Sequence, residues 1–192
     1  MITETSVPQP LPLDDFWHLI DEARVATTPE RPFASVLTDV LADSSPERVL
    51  GYELTFSEVH GALYRWDVWA AGYLIGGGCS DDSFMDFRAG IIAQGRLWYE
   101  RVLAAPDSLA EHPVAQSGEP DMLEELVFDE DSNYAASRAF SRLSGSEELW
   151  EAATGSVTRH EPDMGESFDF DDDEEMRHRL PALTALFLDG EG

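Results

Sequence analysis

The chain has 192 residues, 43% of them hydrophobic, including five Trp and ten Phe, which is enough for one domain with a real core and too apolar for a disordered segment. Its formal net charge is −27, from 39 acids against 12 bases, and every base is Arg. A surface this negative repels phosphate backbones and anionic membranes, so direct nucleic-acid binding and membrane association are excluded, and the expected partner is an unknown protein with a basic surface.

The single cysteine, Cys79, allows no internal disulfide. The start, Met1-Ile2-Thr3-Glu4, lacks the basic and apolar regions of a signal peptide. The longest uncharged apolar run, Val68 to Gly78, is about half the length of a membrane helix. These features place the chain in the cytoplasm. Its charge is uneven, since residues 106–192 hold 23 of the acids and five Arg, so the C-terminal half carries the stronger field.

Three prolines in the first 12 residues predict a loose arm over 1–13. Asp14 or Asp15 then caps a first helix with Phe16, Leu19, Ile20 and Ala23 on one face. Pro29 and Pro32 open a second, with Phe33, Val36, Leu37, Val40 and Leu41 inward. Ser45-Pro46-Glu47 supplies a hydroxyl cap, a first-turn proline and an acid near the positive end of the next helix dipole. Tyr52, Phe56, Val59, Leu63, Trp66, Ala70 and Tyr73 step by alternating fours and threes, the mark of a long core helix or of two helices meeting near Arg65-Trp66. That seam ends at Gly76-Gly77-Gly78.

Ser80 caps a further helix, with Asp81 and Asp82 in its first turn and Phe84, Phe87, Ile91, Trp98 and Val102 on one face. Gly95 falls where that face lacks a member, which predicts close approach of a neighbouring helix there. A loop through Pro113, Gly118 and Pro120 leads to a short helix near Met122–Phe128. The next helix runs from Ser132 to Leu143, with Ala136, Ala139, Phe140 and Leu143 inward and Gly145 ending it. A helical turn covers Glu147–Ala153. The acidic loop near 161–175 precedes a last helical region, in which Pro181 starts the final short helix. No stretch alternates strictly, so no sheet is expected. The predicted fold is all-α, a single-domain bundle of six to eight helices over residues 14–188.

No motif carries chemistry on its own. There is no G-x-S-x-G, no phosphate loop and no dinucleotide fingerprint, so neither catalytic residues nor a cofactor are assigned. Asp129, Asp131 and Asn133 open like a calcium loop, but Tyr134 and Phe140 stand where that loop needs Gly and Glu; acids dressing a helix start are the plainer reading. The five histidines show no i, i+3 or i+4 pair, which leaves no metal site. The run Asp169–Glu175 reads as a solvated lead-in to a helix. Cys79 sits between a glycine run and a helix N-terminus, a place that can activate a thiol, while Asp81 and Asp82 oppose a thiolate. Within Tyr64-Arg65-Trp66-Asp67-Val68-Trp69, Trp66 belongs to the seam and Trp69 lies on its flank as a groove wall. Arg65 and Asp67 are expected to pair with Asp82 and Arg88.

Several stretches are similar to one known family. Asp15-Phe16-Trp17 with Ile20-Asp21-Glu22-Ala23-Arg24, Tyr64 through Ala71, Gly77 through Phe84, and Phe87-Arg88 resemble the bacterial domain-of-unknown-function family 4240. Ile92-Ala93-Gln94-Gly95-Arg96 and Asp107-Ser108-Leu109-Ala110 fit the same pattern, as do, more loosely, Phe168–Glu175 and Arg179-Leu180-Pro181. The resemblance implies a bacterial helical domain and no reaction. It locates a candidate binding site at Arg65, Trp66, Asp67, Trp69, Cys79, Asp81, Asp82, Arg88 and Gln94, with Gly76 where the family pattern favours a larger residue. The sequence is thus read as a non-catalytic interaction or regulatory module. The alternative is an enzyme or accessory factor that binds a small molecule or peptide beside the Cys79 turn.

Overall fold

The computed structural model describes residues 8–117, 119, 122–155 and 163–189. Among these residues every regular element is helical, and the only bridge is an isolated one between Thr28 and Arg31. Eleven α-helices are present rather than six to eight: α1 (Leu13–Ala26), α2 (Phe33–Ala42), α3 (Pro46–Ala62), α4 (Trp66–Ile75), α5 (Asp81–Ala93), α6 (Arg96–Ala104), α7 (Met122–Val127), α8 (Ala135–Ser144), α9 (Glu148–Thr154), α10 (Asp173–Arg179) and α11 (Pro181–Phe187). The extra helices come from breaks inside periodic runs. The long seam divides at residues 63–65 into α3 and α4, and the tail divides where Pro181 cannot continue α10.

Gly95 is a third break. Its φ of +85° caps α6 and ends α5, so it turns the chain instead of admitting a neighbour. The close approach occurs at Gly90, where a Cβ would lie 2.0 Å from the carbonyl oxygen of Val127. Gly118 and Pro120 of the expected loop, and residues 156–162 of the polar stretch, lie outside the described residues.

The chain forms two compact units, one from residues 1–58 with 134–159, the other from 59–133 with 160–192. In the first, α1 packs on α2 and α2 on α8. Phe16 stacks on Tyr52 at 5.0 Å between ring centroids, and Tyr52 stacks on Phe56 at 6.0 Å. Helix α1 starts after Pro12, which puts Asp14 and Asp15 in its first turn rather than at its cap. Leu11 lies along α3, where its N–H donates to Gly51 and its carbonyl accepts from the Thr55 hydroxyl. Asp39 of α2 accepts from Arg142 of α8 at 2.6 Å and from Arg31 at 2.9 Å. Gly145 ends α8 in the left-handed conformation, as its position predicts, while Leu143 in the last turn is exposed instead of inward.

In the second unit α5 is central and packs on α4, α6 and α7. Its cap is the one read from sequence, with the Ser80 hydroxyl accepting from the Ser83 N–H at 3.2 Å. Helix α11 packs on α4 and on the 3-10 segment Pro106–Glu111, and the Asp107 carboxylate accepts from the N–H groups of Ala182 and Leu183 at its first turn.

Gly90→Ala is expected to destabilise the chain by about 2 kcal/mol or more, since the added methyl must displace backbone rather than a side chain. Gly61→Ala, which meets nothing within 4 Å at the end of α3, is expected to stabilise by about 0.5–1 kcal/mol. Urea midpoints of the two variants check both signs.

Candidate functional site

The nine candidate residues all lie in the second unit, on α4 and α5, at the cap positions Arg65 and Gln94, and in the turn between the helices. Gly77 and Gly78, at φ of +59° and +135°, reverse the chain after α4, and α5 then runs back along it. Trp69 faces Phe84 at 4.6 Å, nearly parallel, and Phe84 faces Tyr64 at 5.8 Å. Phe84 is fully buried and the rings around it are half-buried. Trp66 stacks on Trp69 at 5.4 Å with 6° between planes. It begins α4 and is only partly covered, so the seam loses its core character at this position.

The polar groups do not converge as expected. Arg65 and Asp67 pair with each other through two parallel contacts, one of them 3.0 Å from Nε to Oδ1. The second arm of Arg65 donates to the carbonyl of Leu103 at 2.6 Å, and Asp67 also caps the N–H of Val68. Neither reaches Asp82 or Arg88, because two residues on an extended helix start are nearer to each other than to α5. Gln94 stands at the far end of α5, about 20 Å along the axis from Asp81 at 1.5 Å per residue, and donates to the carbonyl of Leu126. Asp81 and Asp82 are exposed in the first turn.

Arg88 is held differently from the other cations. Its guanidinium carbon lies 4.8 Å from the centroids of both Tyr64 and Phe84. One nitrogen donates to His60 Nδ1 at 3.1 Å and to the His60 carbonyl at 3.2 Å, and Nε donates to Phe84. His60 Nε2 faces the carbonyl of Met85 at 3.0 Å, which makes Nε2 the protonated nitrogen and Nδ1 the acceptor. Among the described residues Arg88 has no carboxylate partner. Burial lowers its pKa to about 10, which still leaves it charged at neutral pH.

The Cys79 thiol is not activated. Burial is the main cause that pushes it up to about 11; the Trp69 contact opposes this, while Asp86 and Asp81 add to it. The Trp69 indole N–H donates to the Cys79 carbonyl at 2.9 Å and so ties the turn to α4.

Two features escaped the sequence reading. One is an acidic face. Asp86 is half-buried, and its carboxyl is pushed up first by burial, then by Glu130 and Asp82, with Asp129 adding and the Asn133 amide opposing. Asp129 itself caps the next turn, accepting from the N–H and hydroxyl of Ser132, which takes up the oxygens a calcium loop would need. The other is a strap. Residues 163–171 carry no helix and lie along α4. Phe170 contacts Tyr73, Trp66 and Trp69 at 5.4, 6.0 and 6.3 Å, and Phe168 packs edge-on to Phe170 at 5.2 Å. The Trp66 N–H donates to the carbonyl of Met164, and the Tyr73 hydroxyl donates to Asp171. Asp172 then caps α10, so the acidic run is a helix lead-in, as read, but its first half is anchored by aromatic contact. Two Phe at i, i+2 was the available signal.

A family described as a protein of unknown function (DUF4240) matches residues 12–142. The chain belongs to this family. The family match takes in α4, α5, the Cys79 turn and the acidic face, while the strap lies beyond it. No curated protein and no solved structure matches the chain.

Tyr99, buried with its hydroxyl on the carbonyl of Val59, is raised by burial from 10.0 to about 12, and Cys79 is raised from 9.0 to about 11. For both groups the folded state keeps a proton that the unfolded chain has released. Stability from this source is therefore complete below about pH 9 and falls as pH rises towards 11 and 12. Urea midpoints across pH 8–11 are expected to fall, with a shallower fall in Tyr99→Phe and Cys79→Ala. Iodoacetamide is expected to label native Cys79 far more slowly at pH 8 than it labels the urea-unfolded chain.

Proposed function

We propose that the chain is a non-catalytic interaction module that takes a basic protein segment on the acidic face of Asp82, Asp86, Asp129 and Glu130. The observation that carries this reading is the mutual repulsion around Asp86. Its carboxyl is raised by burial and by three neighbouring acids, and among the described residues none of the four has a basic partner. An arriving guanidinium or ammonium group relieves that repulsion and donates a charge-assisted hydrogen bond to a half-covered carboxylate. The same field opposes phosphate groups, so the reading leaves no role in direct nucleic-acid binding.

The groups near Cys79 support a binding role over a catalytic one. The Trp69 indole spends its donor on the Cys79 carbonyl, and the thiol stays protonated. A nucleophile needs an adjacent base and an open approach, and here the Trp69 indole braces the turn instead.

The test is an NMR titration with an Arg-rich peptide. The shifts are expected to centre on residues 82–86 and 129–133, and affinity is expected to fall as NaCl rises. Neutralising Asp82, Asp86 and Glu130 to their amides is expected to weaken binding about tenfold more than neutralising Glu22, Asp43 and Glu58. Equal losses from the two triple variants would reduce the effect to bulk charge and overturn the reading.

A further inference from the structure

The contacts of the strap are those of a bound peptide rather than of a packed helix. Phe170 lies against α4 and Phe168 packs edge-on to it, while a turn closed by the Asp172 N–H on the Asp169 carbonyl brings Asp171 to the Tyr73 hydroxyl. The rings are half-buried, and Ser167, Asp169 and Asp171 are exposed. One main-chain bond joins the strap to α4, from the Trp66 N–H to Met164, and it uses a first-turn N–H that has no partner within the helix. One side-chain bond, from Tyr73 to Asp171, fixes the register just after Phe170. Arg179 stacks on Phe168 at 4.2 Å and pairs with Glu175 and Glu166 on either side of it. Without the strap, Trp66, Trp69 and Tyr73 would form an uncovered aromatic stripe on one helix, and such a stripe needs an occupant.

We propose that this face of α4 is a peptide-binding groove, filled in the resting chain by its own residues 163–171 and taken by a partner segment carrying Phe-x-Phe-Asp when the strap is displaced. The two Phe enter beside Arg179 and between Trp66 and Tyr73, the Asp accepts from the Tyr73 hydroxyl, and a carbonyl four residues before the first Phe accepts from Trp66. This groove is a different surface from the acidic face and takes a ligand of opposite charge. The chain's net charge repels an acidic peptide, so binding here strengthens with salt, whereas binding of a basic segment at the acidic face weakens. The two proposals can therefore fail separately.

The experiment uses the full chain with Phe168→Ala and Phe170→Ala together, and a fluorescent peptide copying residues 163–172. By anisotropy the double variant is expected to bind about tenfold or more tightly than the wild type, because its own strap no longer competes. Affinity is expected to rise between about 0.05 and about 0.5 M NaCl, and a peptide with both Phe changed to Ala is expected not to bind. Equal binding by the two proteins, or no binding by a double variant that keeps its helical circular dichroism, overturns the proposal. Should the double variant fail to fold, amide exchange in the wild type decides. Trp66 N–H is expected to exchange about a hundredfold faster than the interior amides of α4, reporting strap release without loss of the helix. Equal protection overturns the proposal, since the strap would then open only with the unit.

Discussion

The stack of Trp69 on Phe84 decides where the polar groups of the second unit go. With these rings 4.6 Å apart and Tyr64 5.8 Å from Phe84, α5 is laid along α4 in one register. That register brings Arg88 to Tyr64 and His60, sends the Trp69 indole to the Cys79 carbonyl, and leaves Trp66 at the open end of the stack. Aromatic pairs of this kind gain about 0.5–1.5 kcal/mol each beyond the area they bury. Their greater effect here is directional, because flat rings in sequence tolerate little sliding.

Much of the helical order is legible in the sequence because it rests on local chemistry. Ser80 with two following acids, Pro46 after Ser45, and Gly145 after Leu143 each answer to an orphan N–H or to a left-handed bend, and these needs are the same in any fold. The number of helices is less legible. Gly95 carries the same apolar flanks whether it ends a helix or sits inside one, and only its positive φ separates the cases.

The site was half legible. Trp69 as a flank residue and the acids at the start of α5 follow from helical phase. The pairing of Arg65 with Asp67 does not, because helical spacing places i and i+2 on different faces, and Arg65 stands just outside α4 in an extended conformation. The acidic face joins residues more than forty positions apart, Asp86 to Asn133, and no periodicity reports such a meeting. The strap was hidden by its composition: a run of acids reads as solvated, and two Phe among them weigh little against that background. Against α4 it is Phe170 and the Asp171 carboxylate, bonded to Tyr73, that define the segment.

The parallel Trp66 and Trp69 rings give the second unit an optical property as well as a mechanical one. At 5.4 Å the two indoles pass excitation between them, so light absorbed by either is emitted from the one of lower energy. Phe170 packs against both rings at 6.0 and 6.3 Å. The colour and yield of that shared emission therefore register the wetting of a single helix end, and this small region carries its own built-in dye.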